Sequence, residues 1–440
     1  MKKIVQFINS IYFIILVNLL AIIFWYLKEP ATAYIIYLVF CIIIILTKAN
    51  RSVIASLILS AIITYRVEDE SSLAMHEVYA KIFIPLGIIA IVLFVIDIIR
   101  RKTRFKFSLI FFGFLSVLVV NILSFINVEG EDLTYIATLG ILQLLAFVII
   151  YVYLLNTHDN EGKKYISSVA LITATAITIE LAISYIMLDG LPNKGDNDLF
   201  WAVSNTIAMF YLVLIPIGLY NYFRDQKNYY VLLITGFNFF MMLFMLSRGA
   251  YLALGILIIP TVITMALIAK DKKRLLIDTF ATTLICIIVS YAVGTKLGLL
   301  EMLKEYFEEI TFFEDNGRKE LYIMGFDLFK EYPIFGAGSY SGAYYLKDYS
   351  LGTYHNYIVQ AIATTGILGI ISLGFFIYSV IKTSLKKNYF NILYLISFLY
   401  ILIHGLVDNS FYNPIIMIFL ACTMPFLEEY HENLEDLKIN

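Results

Sequence analysis

Charge is scarce in this sequence: 15% of the 440 residues are charged and 60% are hydrophobic, with a mean hydropathy of +0.83. A soluble domain carries about 25% charge, so this composition excludes one and implies a polytopic membrane protein. A basic excess is absent as well. The formal net charge is −2 and the Lys and Arg residues are scattered between apolar runs, so no face for a phosphate backbone exists and no nucleic-acid partner is expected. Cysteine is nearly absent. Cys41, Cys286 and Cys422 all fall inside apolar runs, where they read as small hydrophobes and give no disulfide framework. The start, Met1-Lys2-Lys3 followed by a long apolar run, has no small-residue cleavage site after a short core, and reads as an uncleaved first span.

What is abundant is hydrophobic length. Apolar segments near 6–27, 31–47, 51–65, 78–99, 105–126, 133–155, 165–188, 199–221, 229–246, 249–269, 275–296, 354–381, 389–406 and 411–427 predict an all-α fold of about fourteen transmembrane helices in a single domain, 1–440. With the N-terminus inside, about two-thirds of the 32 Lys and Arg fall on the inner side, among them Arg100-Arg101-Lys102, Lys272-Lys273-Arg274 and Lys386-Lys387. Short outer loops are acidic instead, as in Glu68-Asp69-Glu70 and Glu129-Gly130-Glu131-Asp132. The positive-inside rule then places both termini in the cytoplasm and the one sizeable loop, 297–353, on the extracytoplasmic side.

Residues 229–269 are apolar over twice the roughly 20 positions that cross a bilayer, so the chain must reverse within them, at Ser247-Arg248-Gly249. An arginine near hydrocarbon costs on the order of 2.5–3.5 kcal/mol and is a candidate functional residue for an anion. The plainer alternative is a side chain snorkelling to lipid phosphates. In the large loop, Glu301–Phe313 and Arg318–Tyr332 have helical spacing, and Leu321, Phe326 and Phe329 predict an apolar stripe. Pro333-Ile334-Phe335-Gly336-Ala337-Gly338 breaks that period, its glycines permitting positive φ or a close backbone approach to a ligand. A tyrosine-rich stretch (Tyr340, Tyr344, Tyr345, Tyr349, Tyr354) follows and suits sugar faces or, as readily, the lipid interface.

The loop ends in Tyr354-His355-Asn356-Tyr357 and runs into a span with Thr365-Gly366-Ile367-Leu368-Gly369. Four features in this order resemble the O-antigen ligase and polymerase superfamily (WaaL and Wzy), most of all a Wzy-type polysaccharide polymerase. They are a span-ending Ser-Arg-Gly, a Gly317-Arg318 in the large loop, a Pro-x-Phe-Gly-x-Gly segment, and His355-Asn356 before a Gly-Ile-Leu-Gly helix. The resemblance covers residues 240–420. A tryptophan common in the family shortly after the loop arginine is missing here, with Tyr322 nearest in kind.

The resemblance implies a GT-C-like, metal-independent, inverting glycosyltransferase of the bacterial cytoplasmic (inner) membrane, needing no cofactor. Its donor and acceptor would be undecaprenyl-pyrophosphate-linked oligosaccharides at the outer face of the membrane. It implies Arg248 and Arg318 as pyrophosphate ligands and His355 as the base that takes the acceptor hydroxyl's proton. Guanidinium suits the first role because it stays charged and binds phosphate bidentately, and imidazole suits the second because it titrates near ambient pH. A lipid-linked flippase and a chain-length regulator would be its pathway partners, alongside membrane lipids.

Other polar residues are secondary candidates. Tyr354 and Asn356 flank His355, and Asn356 also suits a helix N-cap. His404 and Asp408 stand at i, i+4 at an outer span end, so they could face the same cavity as His355 or simply close a turn. Glu77 and Lys81 suit a local ion pair, and Glu180 is an acid inside a span, a position that calls for a buried partner. Glu68-Asp69-Glu70 could bind a cation, but the first outer loop, Lys28-Glu29-Pro30, is too short for the acidic pair that metal-dependent GT-C enzymes carry there. A ligase that passes the finished chain to a lipid or protein would share the donor and hence the motifs. A flippase would show two similar halves and no dominant outer loop.

Overall fold

A computed structural model describes residues 2–47, 49–65, 72–103, 105–158, 161–188, 191–309, 317–347, 353–386 and 388–428, with backbone alone over 72–84 and at 309. In chain order the α-helices are α1 (Lys2–Ile8), α2 (Ile11–Leu27), α3 (Pro30–Leu46), α4 (Val53–Ile63), α5 (Ser72–Arg101), α6 (Leu109–Leu123), α7 (Glu131–Thr157), α8 (Gly162–Ile186), α9 (Ser204–Gly218), α10 (Tyr220–Arg224), α11 (Tyr229–Leu243), α12 (Arg248–Ile268), α13 (Lys272–Lys296), α14 (Leu299–Glu309), α15 (Arg318–Glu331), α16 (Gly342–Tyr345), α17 (Tyr357–Ser384), α18 (Tyr389–His404) and α19 (Pro414–Thr423). Among the described residues there is no β-strand.

Each of the fourteen predicted segments contains a helix, but they differ in length. Seven helices among the described residues are long and apolar enough to cross a membrane, or eight if α1 and α2, bent by 65°, form one span. The other apolar helices are shorter. The 11 residues of α4 rise only about 16 Å, half a hydrocarbon core, so the predicted crossing at 51–65 is not made by this helix alone. What the sequence shows as apolar length is here partly helix buried within the protein: Val53, Ile54, Leu59 and Ile63 of α4 are enclosed.

The centre of the bundle is α9, buried along most of its length and packed against α8, α11, α12 and α18. At the opposite extreme, α13 shows most of its apolar side chains outward, including Leu276, Ile277 and Phe280. An exposed apolar surface of that extent suits lipid and not water, and the protein is a membrane protein. The buried charged groups Arg51 and Asp97 inside the bundle are paired. Arg51 donates to both carboxylate oxygens of Asp97 (2.7 and 2.8 Å) and to the carbonyls of Ile44, Ile45, Thr47 and Ala49 that end α3, while the Tyr153 hydroxyl also donates to Asp97. With both ions hydrogen-bonded in full, their burial is tolerable. Glu180 accepts from the Trp201 indole at 3.1 Å, a partner its position in a span calls for. The side chains of Glu77 and Lys81, and the whole of Glu68-Asp69-Glu70 and Tyr349, lie outside the described residues.

Within 297–353 the two predicted helices are present as α14 and α15, but the buried face of α15 is Leu321, Gly325 and Leu328. Phe326, expected in the stripe, is 48% exposed, because Gly325 lets α15 approach Tyr354 and Val359 so closely that the contact line runs through it. The glycines of the Pro333–Gly338 segment have positive φ (Gly336 72°, Gly338 113°), and the close backbone approach of the segment is to the protein's own α17. The segment fills a break in α17, where Gly366 leaves helical geometry (φ 65°, ψ −156°). Ala337 N–H donates to Ala363 O (3.0 Å), Gly338 N–H to Thr364 O (3.1 Å), Ile367 N–H to Pro333 O (2.9 Å) and Leu368 N–H to Ile334 O (3.4 Å). Groups orphaned by the break are thus satisfied by the loop, as backbone at membrane depth requires. The Asn127 side chain donates to Gly336 O at 2.7 Å and closes the joint from α6's end.

A Cβ at Gly366 would stand 2.5 Å from Ile334 O, and one at Gly336 would fall on the Thr364–Thr365 peptide; both residues also need positive φ. Gly366→Ala and Gly336→Ala should each cost roughly 2–4 kcal/mol, read as a lowered thermal unfolding midpoint in detergent. Gly374→Ala, in the same helix with open space around it, should be neutral or slightly stabilising. Equal midpoints for all three variants would show that the joint is not needed for stability.

Candidate active site

Three of the predicted site residues stand at helix starts. Arg248 opens α12, Arg318 opens α15 and His355 precedes Asn356, the N-cap of α17. Free N–H groups and the helix dipole make each of these ends favourable to negative charge. The local sequence explains the starts. Ser247 caps α12 by accepting from Ala250 N–H (3.3 Å), Gly317 supplies the left-handed residue before α15 (φ 76°), and Asn356 Oδ1 accepts from Ile358 N–H (2.9 Å) and Val359 N–H (3.2 Å). Asn356 is therefore occupied as a cap, and its Nδ2 donates to Leu406 O at 2.9 Å, tying α17 to the turn after α18.

That tie sets His355 against Asp408. His355 Nδ1 is 3.1 Å from Asp408 Oδ1, with both side chains mostly buried. Burial alone would raise the Asp408 carboxyl, but the His355 hydrogen bond and the charges of His404 and His355 bring it down to about 2. An ionised Asp408 accepts, so Nδ1 carries the proton and the Nε2 lone pair is left; Nε2 has no hydrogen-bond partner. The backbone of His355 is left-handed (φ 47°), an uncommon state for a residue with a Cβ, and the Tyr322 hydroxyl donates to its carbonyl at 3.3 Å. Tyr322 thus braces the histidine from α15.

His404 and Asp408 do not share a helical face as their spacing suggests, because α18 ends at His404 with Gly405 as its C-cap. His404 Nδ1 instead meets Ser410 Oγ at 3.1 Å. Gly249 is the contact to the other half of the site: a Cβ there would stand 3.0 Å from His404 Nε2 and 3.0 Å from Val407 Cγ2. The Ser-Arg-Gly turn therefore rests on the end of α18, beside the His355–Asp408 pair. Leu246, just before it, is also left-handed (φ 55°). Arg318 lies close enough to act on His404. Tyr354 is placed elsewhere. It is buried in the loop's own small core with Leu321, Leu328 and Val359, so its ring is a packing element.

One residue of this cluster carries no signal in the sequence. Lys194, on the loop between α8 and α9, feels both Arg248 and Arg318, and burial together with those two like charges holds its ammonium below the usual lysine range, with Asp198 acting the other way. As a lone lysine in a polar loop it looks like any solvated cation. Among the described residues no group of His, Cys, Asp and Glu is arranged to hold a metal ion.

A family model described as O-antigen ligase matches residues 231–374. The matched stretch runs from α11 into α17 and contains Arg248, Arg318 and His355, while Asp408 and His404 lie beyond it and Lys194 before it. Over that stretch the chain is similar to the O-antigen ligase and polymerase superfamily. No curated protein matches the chain.

The pairing fixes a tautomer that can be observed. In protein with ¹⁵N-labelled histidine, the neutral form of His355 should carry its proton on Nδ1, and Asp408→Asn should abolish that tautomer preference by removing the charge that holds the proton. A His355 spectrum unchanged in Asp408→Asn would mean the pair does not form.

Proposed function

We propose that this protein is an inverting polysaccharide polymerase of the bacterial cytoplasmic membrane, with a GT-C-like fold of about fourteen crossings, cytoplasmic termini and its site on the extracytoplasmic face. It joins undecaprenyl-pyrophosphate-linked oligosaccharide repeat units into a surface polysaccharide of the capsule or O-antigen type. The observation that carries this reading is the His355–Asp408 pair together with two arginines at helix N-termini; His355, Arg248 and Arg318 fall inside the stretch matched by the family model, and Asp408 lies beyond it. A lipid-linked flippase would supply its substrate and a chain-length regulator would act on its product.

The residues divide the reaction between them. His355 Nε2 takes the proton of an acceptor sugar hydroxyl as its oxygen attacks the anomeric carbon. The bond from that carbon to the phosphate oxygen breaks on the opposite face, its electron pair leaving with undecaprenyl pyrophosphate, and the anomeric centre inverts. Asp408 orients the imidazole and stabilises the imidazolium that forms, as the third member of a catalytic triad does. Arg248 and Arg318 hold the phosphates and gain interaction as charge grows on them. The arginines supply the positive charge that a metal would bring, so activity is expected in excess chelator.

A second reading has support of its own, since the matching family model is described as a ligase: transfer of the finished chain to a lipid or protein acceptor. Purified protein given only the lipid-linked repeat unit separates the two. A polymerase makes a ladder of products; a ligase makes none until a distinct acceptor is added. Restoration of a chelated sample by Mg²⁺ or Mn²⁺ alone would overturn metal independence and turn attention to Glu68, Asp69 and Glu70.

Substitutions should separate the roles. His355→Ala should lower single-turnover rate by ~10²–10⁴ and leave binding of a pyrophosphate-lipid analogue nearly intact, with Asp408→Asn a weaker version of the same. Arg248→Ala and Arg318→Ala should weaken both, and Arg→Lys should rescue in part, because ammonium keeps the charge but loses the fork. If His355→Ala removed donor binding and spared turnover at saturating donor, the assignment of base and phosphate ligands would be reversed.

A further inference from the structure

The loop that carries Lys194 is built to hold it still. Residues Lys194–Asn197 form one tight turn closed by a capping box: Asn193 Oδ1 accepts from Gly195 N–H, and Asp196 Oδ2 accepts from Asn193 N–H, both at 2.7 Å. The turn is tied to the candidate site's own framework. Fully buried Asn197 accepts from the Tyr185 hydroxyl and donates to Phe244 O at 2.9 Å, four residues before Arg248. On its other side, Leu191 and Pro192 pack on Gly298 at the start of α14, leaving no room for a Cβ.

From this seat the Lys194 ammonium lies over the Tyr306 ring, 5.6 Å from its centroid. Tyr306 belongs to α14, which is fixed to α12 by stacking of Phe307 on Tyr251 at 5.8 Å. The Tyr306 hydroxyl is shut off from solvent and has no hydrogen-bond partner, yet Arg248 is near enough to act on it. An orphaned buried hydroxyl is costly unless a ligand completes it. Lys194 and Arg318 have no carboxylate within ion-pair distance among the described residues. Lys194 thus sits within reach of the charges of two arginines from separate segments, beside a hydroxyl with no hydrogen-bond partner, an arrangement that favours an anion.

The number of charges distinguishes the substrate from the leaving group. A sugar–pyrophosphate–lipid is a diester with one ionised oxygen on each phosphorus, and bond cleavage turns the terminal phosphate into a monoester that gains a further negative charge. Two arginines match the diester; the third charge appears only as the bond breaks. We infer that Lys194, with the Tyr306 hydroxyl beside it, receives that third charge and so recognises the departing pyrophosphate monoester over the donor diester. The inference rests on the reading of Arg248 and Arg318 as pyrophosphate ligands. It assigns the α8–α9 loop and α14 to the leaving-group end of the site, and makes Lys194 a transition-state contact more than a substrate contact.

The test compares two probes by equilibrium binding: farnesyl pyrophosphate, a monoester, and a farnesyl–pyrophosphoryl–glucose diester. Lys194→Ala should weaken the monoester about tenfold or more and the diester less than threefold, with Lys194→Arg restoring most of the loss; Tyr306→Phe should move the monoester in the same direction by a smaller factor. Turnover should fall in Lys194→Ala with donor KM little changed. Lys194→Gln, with its thermal midpoint checked against the unsubstituted protein, covers the case in which alanine disturbs the loop. If Arg248→Ala and Arg318→Ala weaken both probes while Lys194→Ala and Lys194→Gln weaken neither, or weaken both equally, the role of Lys194 is refuted and the arginine assignment stands. If the arginine variants bind both probes normally, the pyrophosphate reading itself fails.

Discussion

The loop and the bundle become one body through a backbone joint, the insertion of Pro333–Gly338 into the break at Gly366. A helix interrupted at membrane depth leaves N–H and C=O groups that neither water nor lipid can satisfy. Here a segment of the large loop satisfies them, with bonds at Ala337, Gly338, Ile367 and Leu368. The consequence reaches the site from both ends of the inserted segment. Upstream lies α15 with Arg318 at its start, and downstream the N-terminal half of α17 carries His355. A soft connection at this point would let the arginine and the histidine drift apart, and interactions of this kind lose much of their effect with about 1 Å of misplacement.

Two left-handed residues flank the candidate site. Leu246 and His355 are both left-handed without being glycine, one just before the Ser-Arg-Gly turn and the other at the proposed base. Each is held by neighbours that leave no easy relaxation: Asn197 on Phe244 O for the first, Tyr322 on the His355 carbonyl and Asp408 on its ring for the second. Such residues persist only where surrounding structure over-determines them. The same supports fix the charges. Arg248 and Arg318, each at a helix start, both act on Lys194, and Arg318 also acts on His404 at the end of α18. Like charges held together in a partly buried place favour an anion, and this is the physical basis on which a pyrophosphate site is proposed.

Local rules carried the linear features. The cap at Asn356, the helix break at Ser247-Arg248-Gly249 and the helices α14 and α15 all follow from residue types within a few positions of one another. They failed where a second segment intervenes. The stripe through Phe326 is a sound helical pattern, yet α15 meets its neighbour along Gly325, because close approach at a glycine outweighs the reach of one phenylalanine. The glycines of Pro333–Gly338 were legible as a close approach, but the partner is the protein's own helix. The spacing of His404 and Asp408 assumed a helix that stops at His404.

The order of motifs shared with a family singled out Arg248, Arg318 and His355, while composition and periodicity alone determined a helical membrane protein with one large loop and capped helices. These are properties of single segments, set by hydrophobic length and by capping chemistry. The partnership of His355 with Asp408, the break in α17 and the presence of Lys194 beside two arginines were decided by tertiary structure. Each depends on which helix ends arrive at the same place, and packing of spans far apart in the chain decides that, through contacts such as Gly249 on His404 that no local pattern records.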